Sequence, residues 1–170
     1  EPIAEPLGLY GELVLAENRR FNLTGAKSPA ELLGHLLDSL SVLPFVAAPY
    51  VDVGSGAGLP AIPVLIATGV PATLIESNRK KTHFLESAIQ RLGLSAAVVS
   101  DRAEAAGRRE DLRDRFASGT ARAVASAPAA AELLLPFIAP GGVAILQQGR
   151  LDAPERQALE DAVLVLGGRL

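Results

Sequence analysis

The chain contains no cysteine, which excludes a disulfide framework and any zinc site built on thiolates, and it fits a reducing, cytoplasmic setting. Histidine is almost as scarce: His35 and His83 are the only two, and their separation argues against a histidine-rich metal centre. No uncharged apolar run of about 18 residues occurs, so no membrane span is expected, and the first residues lack a signal-peptide pattern. The first residue is not Met, so an N-terminus that is trimmed or incomplete is expected. The net charge of −3 offers no global attraction for nucleic acid, and any RNA contact must come from a local basic patch. What remains is 170 residues, 49% of them apolar, the size and content of one ordinary domain with a single core.

The most informative stretch of that domain is Val51-Asp52-Val53-Gly54-Ser55-Gly56-Ala57-Gly58. A short apolar run stops at three glycines, and a helix-like segment over 59–68 follows at once. Glycines let the backbone turn tightly and approach a ligand, while the helix N-terminus offers free N–H groups. A dinucleotide fingerprint reads G-x-G-x-x-G. The spacing here is one residue shorter, and with Asp52 before it the turn looks more like one for S-adenosylmethionine (SAM) than for NAD. Glycine-rich turns also occur in α/β folds that bind nothing.

The first third reads as helical, with Leu7, Tyr10, Leu13 and Val14 at helical spacing. Ser28-Pro29-Ala30-Glu31 then carries a capping-box signature that opens a helix striped by Leu32, Leu33, Leu36, Leu40 and Leu43, ending near Pro44. From Tyr50 onward the patterns alternate. Strands are predicted at 50–53, 72–76, 96–100, 121–126 and 142–147, and helices at about 59–68, 78–92, 109–117 and 128–138, with a last helix over 154–166. Gly93 ends one helix, and Pro140-Gly141-Gly142 reads as the turn into the fifth strand. The predicted fold is α/β: a Rossmann-like parallel sheet with helices on both faces (48–170), preceded by a short helical extension (1–47).

In such sheets the ligand sits beyond the carboxyl ends of the strands. The second strand ends at Glu76, 22 residues after Gly54, where a carboxylate can accept both ribose hydroxyl hydrogens. Ser77 and Asn78 follow, and Asn78 is also a candidate helix cap. The third strand ends at Asp101-Arg102-Ala103-Glu104, where backbone N–H groups and a carboxylate can meet an adenine edge. Arg122 belongs to the fourth strand. Arg79-Lys80-Lys81 opens a helix, where cations oppose the macrodipole, so a phosphate-binding role and a solvated charged face both remain open. Glu76, Asp101 and Glu104 also admit a plain reading as solvated charges at strand ends and loops. On its apolar helix His35 reads as a hydrogen-bonded structural residue as readily as a ligand, and His83 as an exposed one.

Taken together, several segments resemble the bacterial small-subunit (16S) ribosomal RNA guanine-N7 methyltransferases, the family also called glucose-inhibited division protein B. They are Asn22-Leu23-Thr24, His35-Leu36-Leu37-Asp38-Ser39-Leu40, Asp52 through Leu59-Pro60, Glu76-Ser77-Asn78-Arg79-Lys80-Lys81 with Phe84-Leu85, Arg102-Ala103-Glu104 and Arg122-Ala123-Val124-Ala125. The match spans about residues 19–149. The resemblance implies SAM as cofactor, with Gly54, Ser55, Gly56, Gly58, Leu59, Glu76, Ser77, Asn78, Ala103, Glu104 and Arg122 at its site. It implies a guanine methylated at N7 in 16S rRNA, at the position conventionally numbered 527, within a small ribosomal subunit or an assembly intermediate. Asn22, His35, Asp38 and Ser39 would border the RNA side, together with Arg79 and Lys80. Neither a metal nor a membrane is implied.

Three positions depart from the family pattern: Gly34 replaces a frequent basic residue, Ala61 a glycine and Gln148 a lysine. Two fewer cations weaken the expected electrostatic footprint for RNA. The fold commonly continues into an antiparallel strand pair, so a C-terminally truncated chain is expected. Guanine N7 carries a lone pair and no proton, so the chemistry needs alignment rather than a base, and the sequence assigns no catalytic residue. Other readings are a SAM-dependent methyltransferase of another substrate and a non-catalytic RNA-binding module that retains SAM. An NAD oxidoreductase is disfavoured by the early third glycine and the lack of hydride-transfer residues.

Overall fold

The computed structural model describes residues 3–170. Five strands, β1 (Tyr50–Val53), β2 (Ala72–Ile75), β3 (Ala96–Val99), β4 (Phe116–Arg122) and β5 (Ile138–Gln147), form one parallel sheet in the order β3-β2-β1-β4-β5. Parallel neighbours require crossovers, supplied here by α3 (Ala61–Thr68), α4 (Arg79–Leu92), α5 (Ala103–Ala106) and α6 (Ala127–Leu134). Two helices precede the sheet, α1 (Ala4–Asn18) and α2 (Pro29–Leu40), and α7 (Ala153–Val165) follows it. The chain winds outward from β1 to β3, then crosses to the other side of β1 as β4 and β5. The switch point therefore lies between the carboxyl ends of β1 and β4. No helix among the described residues is long and apolar enough to cross a membrane.

Both faces of the sheet are buried, as a doubly covered parallel sheet requires. The two-residue pleat of β1 sends Tyr50 into one core with Leu74, Leu85 and Ile62, and sends Val51 and Val53 into the other with Ile75, Leu134 and Phe137. The front helices share the first core through Tyr10, Val14, Leu32 and Leu36, so they are built into the sheet's packing. The Tyr10 hydroxyl donates to the Ala57 carbonyl at 2.7 Å, tying α1 to the glycine turn. Helix α2 starts as its sequence dictates: the Glu31 N–H donates to Ser28 Oγ at 3.2 Å, with Pro29 in the first turn. The Glu31 carboxylate reaches one residue further back than a capping box requires, accepting from the Lys27 N–H.

Three predicted elements need correction. Residues 109–117 do not form a helix; the helix between β3 and β4 is α5, which ends at Ala106, and the charged run after it forms turns in which Arg109 pairs with Asp111 and Arg113 with Asp114. Asp114 has a φ of 54°, a left-handed conformation that a helix excludes. The fourth strand begins at Phe116 and ends at Arg122, rather than covering 121–126. Its polar centre hides it from a hydrophobicity pattern because its hydroxyls are bonded internally. Ser118 Oγ donates to the Ala47 carbonyl and accepts from the Ala47 N–H. The predicted turn at Pro140-Gly141-Gly142 lies inside β5 as a bulge: Phe116 pairs with Ile138, and Ser118 next pairs with Val143.

Gly119 sits at the centre of this packing. A Cβ there would lie 2.7 Å from Val51 Cγ1 and 2.9 Å from both Ile138 Cδ1 and Leu134 Cδ1. Gly119→Ala is expected to cost about 1–3 kcal/mol through overpacking, read as a lower urea midpoint with an unchanged slope.

Candidate functional site

The glycine turn hangs from β1 and β2. The N–H groups of Gly54 and Ser55 both donate to the Ile75 carbonyl, at 2.9 and 3.0 Å. Gly54 and Gly56 have φ values of 70° and 56°, so the turn needs residues without a Cβ. Glu76 then locks it: one carboxylate oxygen accepts from the Gly56 N–H and the other from the Asn78 N–H, each at 2.8 Å. Charge-assisted bonds of this kind are among the stronger ones, and each oxygen keeps a further lone pair for a ligand. Asn78 caps α4, its Oδ1 accepting from the N–H groups of Lys80 and Lys81 at 3.0 and 3.4 Å.

Beneath the turn lies Asp52, only 1% exposed. Thr120 Oγ1 donates to Asp52 Oδ1 at 2.5 Å, joining β4 to β1. A threonine hydroxyl has one hydrogen, so Tyr50, whose hydroxyl also meets Thr120 Oγ1, must donate to it. Ser55 Oγ closes the turn onto the Asp52 carbonyl at 3.0 Å. Burial pushes the Asp52 carboxyl up from 3.8 to about 6, against the lowering effect of the Thr120 hydroxyl.

Two cavities open at the switch point, and Gly54 lines both. The first, about 460 Å³, takes Glu76 and Ser77 from the end of β2 and Asp101, Arg102, Ala103 and Glu104 from the segment after β3. Ile75, Val124 and Leu133 give it apolar walls. The second, about 340 Å³, lies on the front-helix side, bounded by Ser55, Gly56, Leu59, His35 and Arg122. The predicted cofactor residues thus divide into two groups. Gly58 and Asn78 line neither: a Cβ on Gly58 would run into Ile62 and Leu85, and Asn78 serves as a cap.

The residues expected on the RNA side separate further. Ser39 is buried and its hydroxyl donates to the His35 carbonyl at 2.7 Å. Asp38 borders a third cavity, about 530 Å³, with Arg122, Gln147 and Gln148. Arg79 and Lys80 lie on a fourth, about 500 Å³, beside Arg20, Phe21 and His83. Asn22 is exposed and lines none of these. Its neighbours Leu23, Thr24 and Gly25 reach the second cavity instead, as does Lys81. Their loop is shaped by Asn18, whose Oδ1 accepts from the N–H groups of Leu23 and Thr24, both at 2.9 Å. An asparagine closing a helix before a polar, glycine-containing loop was the available signal for that role. Thr120 gave no signal, because its partner Asp52 is 68 residues away in the chain.

A family model described as rRNA small subunit methyltransferase G matches residues 3–170. The chain belongs to the rRNA small subunit methyltransferase G family. A relative of that name from Rubrobacter xylanophilus is 43% identical over 175 aligned positions, covering 98% of this chain and 67% of its own length. One from Trichormus variabilis is 41% identical over 170 positions, covering 92% and 69%. Among solved structures, a precorrin-6y C5,15-methyltransferase from Geobacter metallireducens matches with a TM-score of 0.57 at 13% identity, covering 86% of this chain and 74% of that one. A branched-chain polyamine synthase from Thermus thermophilus matches with a TM-score of 0.64 at 13% identity, covering 93% and 49%. At those identities the likeness shows the fold alone: a Rossmann-like α/β methyltransferase architecture.

The buried carboxyl beneath the glycine turn gives this methyltransferase G family member a defined pH signature. A carboxyl whose folded value is raised favours the protonated form in the native state. Its stabilisation is therefore complete below 3.8 and is lost as pH rises through about 6. Asp52→Asn is expected to remove this component, on the order of 3 kcal/mol. Urea unfolding of both proteins from pH 4 to 7 checks it: the variant should lack part of the wild-type decline, and parallel curves would contradict the assignment.

Proposed function

We propose that this chain transfers a methyl group from SAM to N7 of a guanine in the 16S RNA of the small ribosomal subunit, at the conventional position 527. One observation carries the chemical part of the reading. The cavity beside the glycine turn is lined by Thr24, Ser55, His35, Lys81 and Arg122, and by no carboxylate. Its one imidazole, His35, has Nδ1 engaged by the Arg122 guanidinium at 3.0 Å, so the lining presents donors rather than a ready base, which suits a nucleophile that brings no proton to be removed, as guanine N7 does.

The first cavity fits the nucleoside end of SAM. Its volume lies in the range of small-ligand sites, Glu76 offers acceptor lone pairs for vicinal hydroxyls, and Val124 and Leu133 supply apolar surface for a base. A ligand extending into the second cavity must pass Gly54, where a Cβ would meet Val124 Cγ2 at 2.7 Å. Bound SAM would supply a sulfonium methyl on which the N7 lone pair displaces sulfur, the new N–C bond forming as the C–S bond breaks. The chain's contribution is placement: Glu76 and Gly54 orient one partner, and the front helices bound the space for the other. Alignment of this kind can supply about 7–11 kcal/mol of a barrier. A target base must also leave its stack to enter an enclosed site, so a splayed-out nucleotide is the expected substrate form.

The front-helix side carries the local cations that a chain of net charge −3 needs for RNA, with Arg20, Arg79 and Lys80 around one cavity and Lys81 at the next. The test is transfer of labelled methyl from SAM to small subunits isolated from cells lacking the modification, beside free 16S rRNA. Incorporation mapping to a guanine N7 is expected. Glu76→Ala should reduce SAM binding at least tenfold by calorimetry, because it removes the ribose acceptor and unlocks Gly56. SAM binding without transfer to any ribosomal substrate would overturn the RNA reading.

A further inference from the structure

Arg122 leaves the sheet at the end of β4 and spends its donors on α2. It is 16% exposed and pairs with the Asp38 carboxylate at 3.1 Å through Nη2. The same nitrogen reaches His35 Nδ1 at 3.0 Å, while Nη1 donates to Ser39 Oγ at 3.2 Å and to the His35 carbonyl at 3.4 Å. The polarity of this cluster is fixed. A guanidinium carries only donors, so His35 Nδ1 must accept with its lone pair. The ring proton then sits on Nε2, which has no hydrogen-bond partner among the described residues. That ring lines the second cavity beside Gly54, Ser55 and Gly56.

We propose that His35 selects guanine at this site, its Nε2–H donating to guanine O6, with Arg122 as the positioning residue that fixes the tautomer. The inference rests on the methyl-transfer reading above. The Hoogsteen edge of guanine presents two acceptors, N7 and O6, whereas adenine presents N7 and an amino donor. N7 must stay free for the incoming methyl, which leaves O6 as the one atom on that edge for recognition. A fixed donor satisfies O6 and opposes the adenine amino group. A histidine free to exchange tautomers would accept from adenine equally well, and Arg122 removes that freedom. The Lys81 ammonium lines the same cavity on a flexible stem and fixes no such direction.

Two measurements test the assignment. The chain has only two histidines, so nitrogen NMR of the labelled full chain resolves both rings, with the exposed His83 as internal reference. The neutral ring of His35 is expected to show a bare Nδ1 and a protonated Nε2, and Arg122→Met is expected to let it exchange tautomers. A proton on Nδ1 in the wild type would overturn the proposal. In methyl transfer to small subunits, His35→Ala is expected to lower kcat/KM by about 10–100-fold with SAM affinity unchanged. His35→Gln, which keeps a donor of similar reach, is expected to recover most of that loss. It should also narrow the guanine-over-adenine preference on subunits whose target guanine is mutated to adenine, because its amide also offers an acceptor. A His35→Ala variant with normal kcat/KM, or one that loses SAM affinity in parallel, would overturn the assignment while leaving the methyl-transfer reading intact. Absence of transfer by the wild type would instead overturn that reading.

Discussion

The hydrogen bond from Thr120 to the buried Asp52 carboxylate joins the two strands between which the topology reverses, and the site is assembled on that joint. Tyr50 donates into it from below, and Ser55 closes the glycine turn onto the Asp52 backbone from above. A carboxyl buried this deeply is costly unless it is hydrogen-bonded or neutral. The same placement that raises its proton affinity also makes the β1–β4 junction specific in register, because a one-residue slip would strand both the hydroxyl and the acid.

From that joint the site spreads in two directions with different physical characters. Toward β2 and β3 it is held by backbone N–H groups and Glu76, a rigid arrangement that offers unused lone pairs beside an apolar wall. Toward the front helices it is held by side chains of both signs, with Arg122 bridging β4 and α2. Arg122 lines the cavity at the front-helix side together with Gly54, Ser55 and Gly56, its donors directed to α2. The glycine turn separates these halves at Gly54, where the absence of a side chain lets one ligand lie across both.

The front helices show why an extension can be integral to a site. Tyr10 reaches the carbonyl of Ala57 and Asn18 shapes the loop that reaches the second cavity, so an anchor of the glycine turn and a wall of that cavity both come from residues ahead of the sheet. The Tyr10 contact leaves no local trace, since a tyrosine on an apolar helix stripe reads as core, whereas Asn18 bonds residues five and six positions on, where a helix end before a glycine-containing loop is legible.

The sequence by itself determined the alternation of strands and helices from Tyr50 onward, the glycine turn, the cap at Ser28 and the acidic end of β2, because each rests on neighbours within a few residues. Local patterns of that kind survive without knowledge of the fold. Only the tertiary structure decided the true extent of β4, whose Ser118, Gly119 and Thr120 look like loop until Val51, Ile138 and the Asp52 carboxyl close around them. It also decided which basic residue of the Arg79-Lys80-Lys81 run lines the second cavity, since helical rotation separates adjacent side chains by about 100°. Hydrogen-bond partners 68 to 87 positions apart, Asp52 with Thr120 and His35 with Arg122, are set by sheet topology, and topology is a property of the assembled chain rather than of any segment of it.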